Sequence, residues 1–151
     1  MKTLFPALRI SDVNASLAFY DAVGYEVVGQ VDVDAGLRLV MLALPGEEEV
    51  SLELVHRPDH GPVYPGGLDH LAVQVDDLDS VRADLVSAGL EPDEIAAPGG
   101  PFGPRTVQMT DPDGHHLELV QWPPGHPTGM PRNDFDRARP DISPKTDGVS
   151  R

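Results

Sequence analysis

Ile10-Ser11-Asp12-Val13-Asn14-Ala15 and Val75-Asp76-Asp77-Leu78-Asp79-Ser80 are one phrase written twice, 65 residues apart: an apolar strand end, short polar residues, then the start of a helix. The same offset pairs Gly24 with Gly89, and Leu52-Glu53-Leu54-Val55 with Leu117-Glu118-Leu119-Val120. Self-similarity at a fixed offset marks a repeated supersecondary unit. Each half of the chain is therefore read as a copy of the same unit.

Each copy reads as strand, helix and three strands. In the first, Leu4 to Ile10 is β-compatible, Asp12 or Asn14 can cap a helix, and Val13, Leu17 and Tyr20 fall on one helical face. Gly24 suits a left-handed helix end. Strands are expected over Tyr25 to Val31, Leu37 to Leu44 and Val50 to His56, separated by Asp34-Ala35-Gly36 and Pro45-Gly46. The second copy has a strand from His70 to Val75 and a helix from Leu78 to Ala88 ending at Gly89. Its last three strands are placed near Leu90 to Ile95, Arg105 to Met109 and His116 to Gln121, with Asp111-Pro112-Asp113-Gly114 as a hairpin turn. The expected organisation is a first βαβββ module over 1–59, a Gly/Pro linker over 60–67, a second module over 68–122, and a Pro-rich tail over 123–151 that is disordered or packed on a partner subunit.

Composition narrows the function classes. The 151 residues are 40% hydrophobic, enough to bury a core, and carry a formal charge of −14 that repels nucleic acid and anionic membrane surfaces. With no cysteine there is no disulfide framework, thiol nucleophile or thiolate metal site. No run approaches the roughly 20 apolar residues of a membrane span, and Met1 to Pro6 lacks the apolar stretch of a signal peptide. A soluble cytoplasmic protein is expected.

Strand alternation decides which side chains share a face. One face carries Phe5, Ala7 and Arg9, then Ser51, Glu53 and Val55, His70, Ala72 and Gln74, and His116, Glu118 and Val120; the Leu and Ile residues between them face the helices. Glu53 and Glu118 are each flanked by two leucines in mid-strand, where an unpaired charge is costly to desolvate. A divalent ion would compensate, and two carboxylates with the His70 imidazole suit Zn²⁺, Ni²⁺, Mn²⁺ or Fe²⁺. A solvated polar sheet face explains the same Leu-Glu-Leu pattern without an ion. The repeat favours convergence, because the offset relating Glu53 to Glu118 also relates Phe5 to His70.

With Ser16-Leu17-Ala18-Phe19-Tyr20, Asp69-His70-Leu71-Ala72-Val73 and Asp111-Pro112-Asp113-Gly114-His115-His116-Leu117-Glu118-Leu119, residues 4 to 122 resemble the vicinal oxygen chelate, or glyoxalase/bleomycin-resistance/dioxygenase, superfamily. The resemblance implies an α+β fold in which two βαβββ modules form a cupped mixed β-sheet with helices on the outer face. It also implies metal ligands at the positions of Phe5, Glu53, His70 and Glu118. Phe5 departs from the pattern, since a phenyl ring cannot ligate, leaving His70, Glu118 and Glu53 with an open position. Arg9 matches an arginine that holds a carboxylate of a glutathione moiety, with a strand-end salt bridge as the alternative. Arg57 stands where the glyoxalase I branch has Asn, and Arg105 matches an arginine preceding the seventh strand. His116 is the remaining histidine expected nearest the pocket. The activity implied is a glyoxalase-like, metal-dependent lyase or isomerase acting on a 2-oxoaldehyde adduct or α-hydroxycarbonyl through a stabilised enediolate, with Glu118 as the proton-transferring catalytic residue. Its alternatives are a metal-free small-molecule binding protein of the bleomycin-resistance type, with Phe5 stacking on the ligand, and an extradiol dioxygenase. A homodimer is expected.

Overall fold

A computed structural model of the chain describes residues 1–98, 100–126 and 129–130. The first repeat runs β1 (Ala7–Ile10), α1 (Val13–Val23), β2 (Glu26–Asp34), β3 (Leu37–Ala43) and β4 (Leu52–His56). The second runs β5 (Leu71–Gln74), α2 (Leu78–Ser87), β6 (Arg105–Thr110) and β7 (His116–Gln121). These make a mixed α+β fold of two small sheets, ordered β1-β4-β3-β2 and β5-β7-β6. No helix among the described residues is long and apolar enough to cross a membrane.

The helix boundaries follow from local chemistry. Asp12 accepts the Ala15 N–H at 2.9 Å, and Asp77 accepts those of Asp79 and Ser80, so each helix opens on an aspartate cap. Gly24 at φ 109° and Gly89 at φ 83° turn the chain out in the left-handed region, which favours a residue without Cβ.

The offset of 65 survives as strand register. Parallel β1 and β4 align Ala7 with Glu53 and Leu8 with Leu54; parallel β5 and β7 align Ala72 with Glu118 and Val73 with Leu119. Alternation then sends Leu8, Ile10, Leu52, Leu54, Val73, Leu117 and Leu119 into a single core cluster that spans both repeats. Each such fully buried Leu or Ile contributes about 1.5–3 kcal/mol relative to exposure.

The expected strand over Leu90 to Ile95 is not formed; a lone bridge between Ala96 and Thr106 stands in its place. Pro92 has no N–H to offer, and the Asp93 carbonyl is taken by Arg82 Nε of α2 at 2.8 Å. Asp93 N bonds Gln108 O and Ala96 N bonds Thr106 O, three residues set against two, a mismatch that stops the ladder. The first strand is also shorter than expected, so Phe5 and Pro6 precede β1, with Pro6 O accepting Glu53 N at 3.1 Å.

A buried latch joins the repeats. The Tyr20 hydroxyl of α1 donates to Asp111 Oδ2 at 3.0 Å, while Asp111 Oδ1 accepts the backbone N–H groups of Asp113 and His115. Ser11 N donates to Asp113 Oδ2, and His115 Nε2 lies 2.8 Å from the Arg9 carbonyl. Burial, reinforced by the Asp111 carboxylate, holds the Tyr20 phenol far above its ordinary range, so it stays a donor. The Tyr25 phenol is pushed up to about 12, mainly by burial.

Candidate functional site

On the helix-averted face of the second sheet, His70 stands immediately before β5 and Glu118 in the middle of β7. His70 Nε2 lies 3.4 Å from Glu118 Oε2. Both groups are steadied from behind. His70 Nδ1 contacts Asp69 Oδ2 at 2.7 Å, and Glu118 Oε1 accepts Gln108 Nε2 at 2.9 Å. The His70 side chain is 38% exposed and that of Glu118 20%, so the pair faces an accessible surface. This arrangement serves an imidazolium bridging two carboxylates. It equally serves a neutral ring with its proton on Nδ1, whose Nε2 lone pair is aimed beside a carboxylate oxygen, the geometry of a ligating histidine backed by an outer carboxylate.

Gln108 escaped the sequence reading for a definable reason. Glu53 sits opposite Met41 in the β3–β4 pair, and a constant offset of 65 would put Thr106 opposite Glu118. The register places Gln108 there, an offset of 67, because the connection before β6 is two residues longer and the β6–β7 turn two residues shorter. Gln108 and His116 also line a cavity of about 550 Å³ with Phe19, Leu90 and Thr110.

The first repeat presents a different face. Glu53 is half-buried between Ala7 and Met41, with no side-chain hydrogen bond among the described residues. Among the described residues no three His, Asp or Glu side chains lie close enough together to hold an ion. Imidazole nitrogen and carboxylate oxygen suit a divalent metal chemically, and one chain brings His70 and Glu118 together without Glu53.

The arginines are engaged elsewhere. Arg9 donates through Nη2 to the Gly61 carbonyl at 2.6 Å and, at 3.5 Å, reaches the carbonyls of Arg57 and Pro62, which pins the linker instead of forming a salt bridge. Arg57 Nη1 lies 3.3 Å from His60 Nε2, beside a cavity of about 250 Å³ at the β2–β3 turn. Arg105 forms a two-pronged pair with Asp79 at 2.8 and 3.0 Å and also reaches Gln121, tying β6 and β7 to α2. The Arg105 hydrogen bonds hold the Asp79 carboxyl below its usual range.

Residues 4–119 match the Glyoxalase/Bleomycin resistance protein/Dioxygenase superfamily, and the chain belongs to that superfamily. A lactoylglutathione lyase of Schizosaccharomyces pombe is 25% identical over 139 residues, covering 76% of this chain but only 43% of that protein. This chain thus spans less than half of that curated relative. The trypanothione-dependent glyoxalase I of Leishmania major is 26% identical with a TM-score of 0.65, over 80% of this chain and 86% of its own. TnmS3, an antibiotic binding protein from Streptomyces sp. CB03234, is 25% identical with a TM-score of 0.63, over 82% of this chain and 98% of its own.

Proposed function

We propose that this protein is a glyoxalase-like, metal-dependent lyase or isomerase acting on a small α-hydroxycarbonyl or 2-oxoaldehyde adduct. The observation carrying this reading is the His70–Glu118 pair, each member fixed by a second residue and both facing accessible space. His70 and Glu118 would hold a divalent ion, with Glu53 supplied by a second copy of the chain, because Glu53 lies on the other sheet of its own chain. A homodimer is therefore part of the proposal.

A bound divalent ion would supply Lewis acidity toward two adjacent substrate oxygens. The remaining work falls to the chain. Glu118, with Oε1 accepting the Gln108 amide, would use Oε2, when that oxygen is not holding the ion, to take a proton from one substrate carbon and return it to the next. Asp69 fixes the His70 ring so that Nε2 stays directed at the site.

A metal-free binding protein is the competing reading, and Phe5 favours it. An aromatic side chain at the position of the expected fourth ligand offers a ligand a stacking surface. Metal analysis of protein purified without chelator or nickel resin separates the two. The metalloenzyme reading requires a transition metal near stoichiometry that is lost in His70→Ala. Trace metal, unchanged by that substitution, refutes it in favour of the binder.

A further inference from the structure

The match to the superfamily ends at residue 119, and TnmS3 is covered almost end to end while using 82% of this chain. The segment after β7 lies beyond the superfamily match, and its first described residues are folded back onto the sheet. Gln74 Oε1 accepts two N–H groups from this segment, Trp122 Nε1 at 3.1 Å and Gly129 N at 2.8 Å. The His126 ring stacks on the Trp122 indole, with centroids 4.5 Å apart and planes 14° from parallel. His126 N closes a turn onto the Pro123 carbonyl at 3.1 Å.

Gln74 gives this fold its direction. It lies on β5 opposite Val120, two residues beyond Ala72, which is opposite Glu118. Residues 70, 72 and 74 alternate onto one face, and His70 does meet Glu118 there. The anchor of this segment therefore stands on the face of the His70–Glu118 pair, at its far end.

We propose that Trp122, held by Gln74, and His126, stacked on Trp122, form a specificity wall of the His70–Glu118 site. The wall selects ligands that pair two vicinal oxygens with an apolar or aromatic arm over those with a small one. This inference rests on the proposed function of the same face.

Mandelate and lactate carry the same vicinal oxygens and differ in a phenyl against a methyl arm, which makes them the test. The full chain with stoichiometric Zn²⁺ is titrated by calorimetry, and in parallel by the fluorescence of Trp122, its only tryptophan. Mandelate should bind roughly tenfold more tightly than lactate, the upper end of an aromatic contact, and should alter the indole emission saturably. Trp122→Ala and Gln74→Leu should each reduce the preference to about twofold or less, while His70→Ala abolishes binding of both ligands. Equal affinities in the wild type, or a preference surviving both wall variants, overturn the wall; loss of binding in His70→Ala would then leave the proposed site standing. Failure of both ligands to bind the wild type overturns wall and site together.

Discussion

Glu53 and Glu118 occupy the same place in two copies of one unit, each opposite an alanine of a parallel neighbour. On the antiparallel side they part. Glu118 faces Gln108, accepts its amide and meets His70, whereas Glu53 faces Met41 and has no side-chain hydrogen bond among the described residues. Backbone symmetry fixes where a carboxylate stands, and the residue across the strand fixes what it can do. A half-buried carboxylate beside a thioether is poorly solvated and unpaired. The same group beside an amide and an imidazole is oriented and ready to accept a proton or an ion.

The largest expected effect comes from removing the contact that the first repeat lacks. His70→Ala should lower divalent metal affinity by at least about 100-fold, since loss of outer partners alone costs 10–100-fold; isothermal titration with Zn²⁺ measures it. An equal loss in Glu53→Ala would mean that both carboxylates share one ion, and an unaffected Glu53→Ala would confine binding to the second repeat.

Separating the repeats comes next. Tyr20→Phe leaves the buried Asp111 carboxylate short of one partner and should cost about 1–3 kcal/mol, read as a lower urea midpoint. An unchanged midpoint would show that the latch adds nothing to the shared core.

Gln108→Met gives Glu118 the same neighbour as Glu53. With the buried core face of β6 untouched, stability should change little, while metal affinity falls about tenfold. Unaltered affinity would mean that the amide orients nothing.

Acid should distinguish the two helices least strongly. Asp77 is held below its usual range mainly by the Ser80 hydroxyl, and Asp79 by Arg105; both lie in or beside α2. A folded pKa below the unfolded one contributes stability that is present above the unfolded value, about 3.9, and is lost as pH falls through the folded value. Helix signal from α2 should therefore weaken below about pH 4, and Asp79→Asn should flatten that loss; hydrogen exchange resolved by segment reports it.

Much of the fold was legible because period-two alternation and the repeat agree. Leu52, Leu54, Leu117 and Leu119 are all buried as expected, and the Asp12 cap and the helix-ending glycines lie where their chemistry put them. The strand over 90–95 was misread because apolar content says nothing of a carbonyl taken by Arg82. Of the candidate site, alternation put His70 and Glu118 on one face, and Nε2 and Oε2 lie 3.4 Å apart there; the same rule carries no information on whether Glu53 joins them in one chain or across two. Gln108 was hidden by the change of offset, and Asp111 read as a turn residue because nothing local reveals that Tyr20 reaches it from 91 residues away. Of the tail, the described residues fold against Gln74, while 131–151 lie outside the described residues.

The bridge that replaces the strand beside β6 bears on solubility. A three-stranded sheet ending in a complete strand would offer its backbone to any passing chain, the usual route to edge-to-edge aggregation. Here the border of β6 is occupied at Thr106 and Gln108 by a segment that cannot itself continue the ladder, with Pro92 and Pro98 bracketing it and Pro101 and Pro104 following. Prolines on such a border withhold donors from a newcomer. The irregularity that cost the second repeat a strand also leaves its sheet with a margin on which filament growth has little to build.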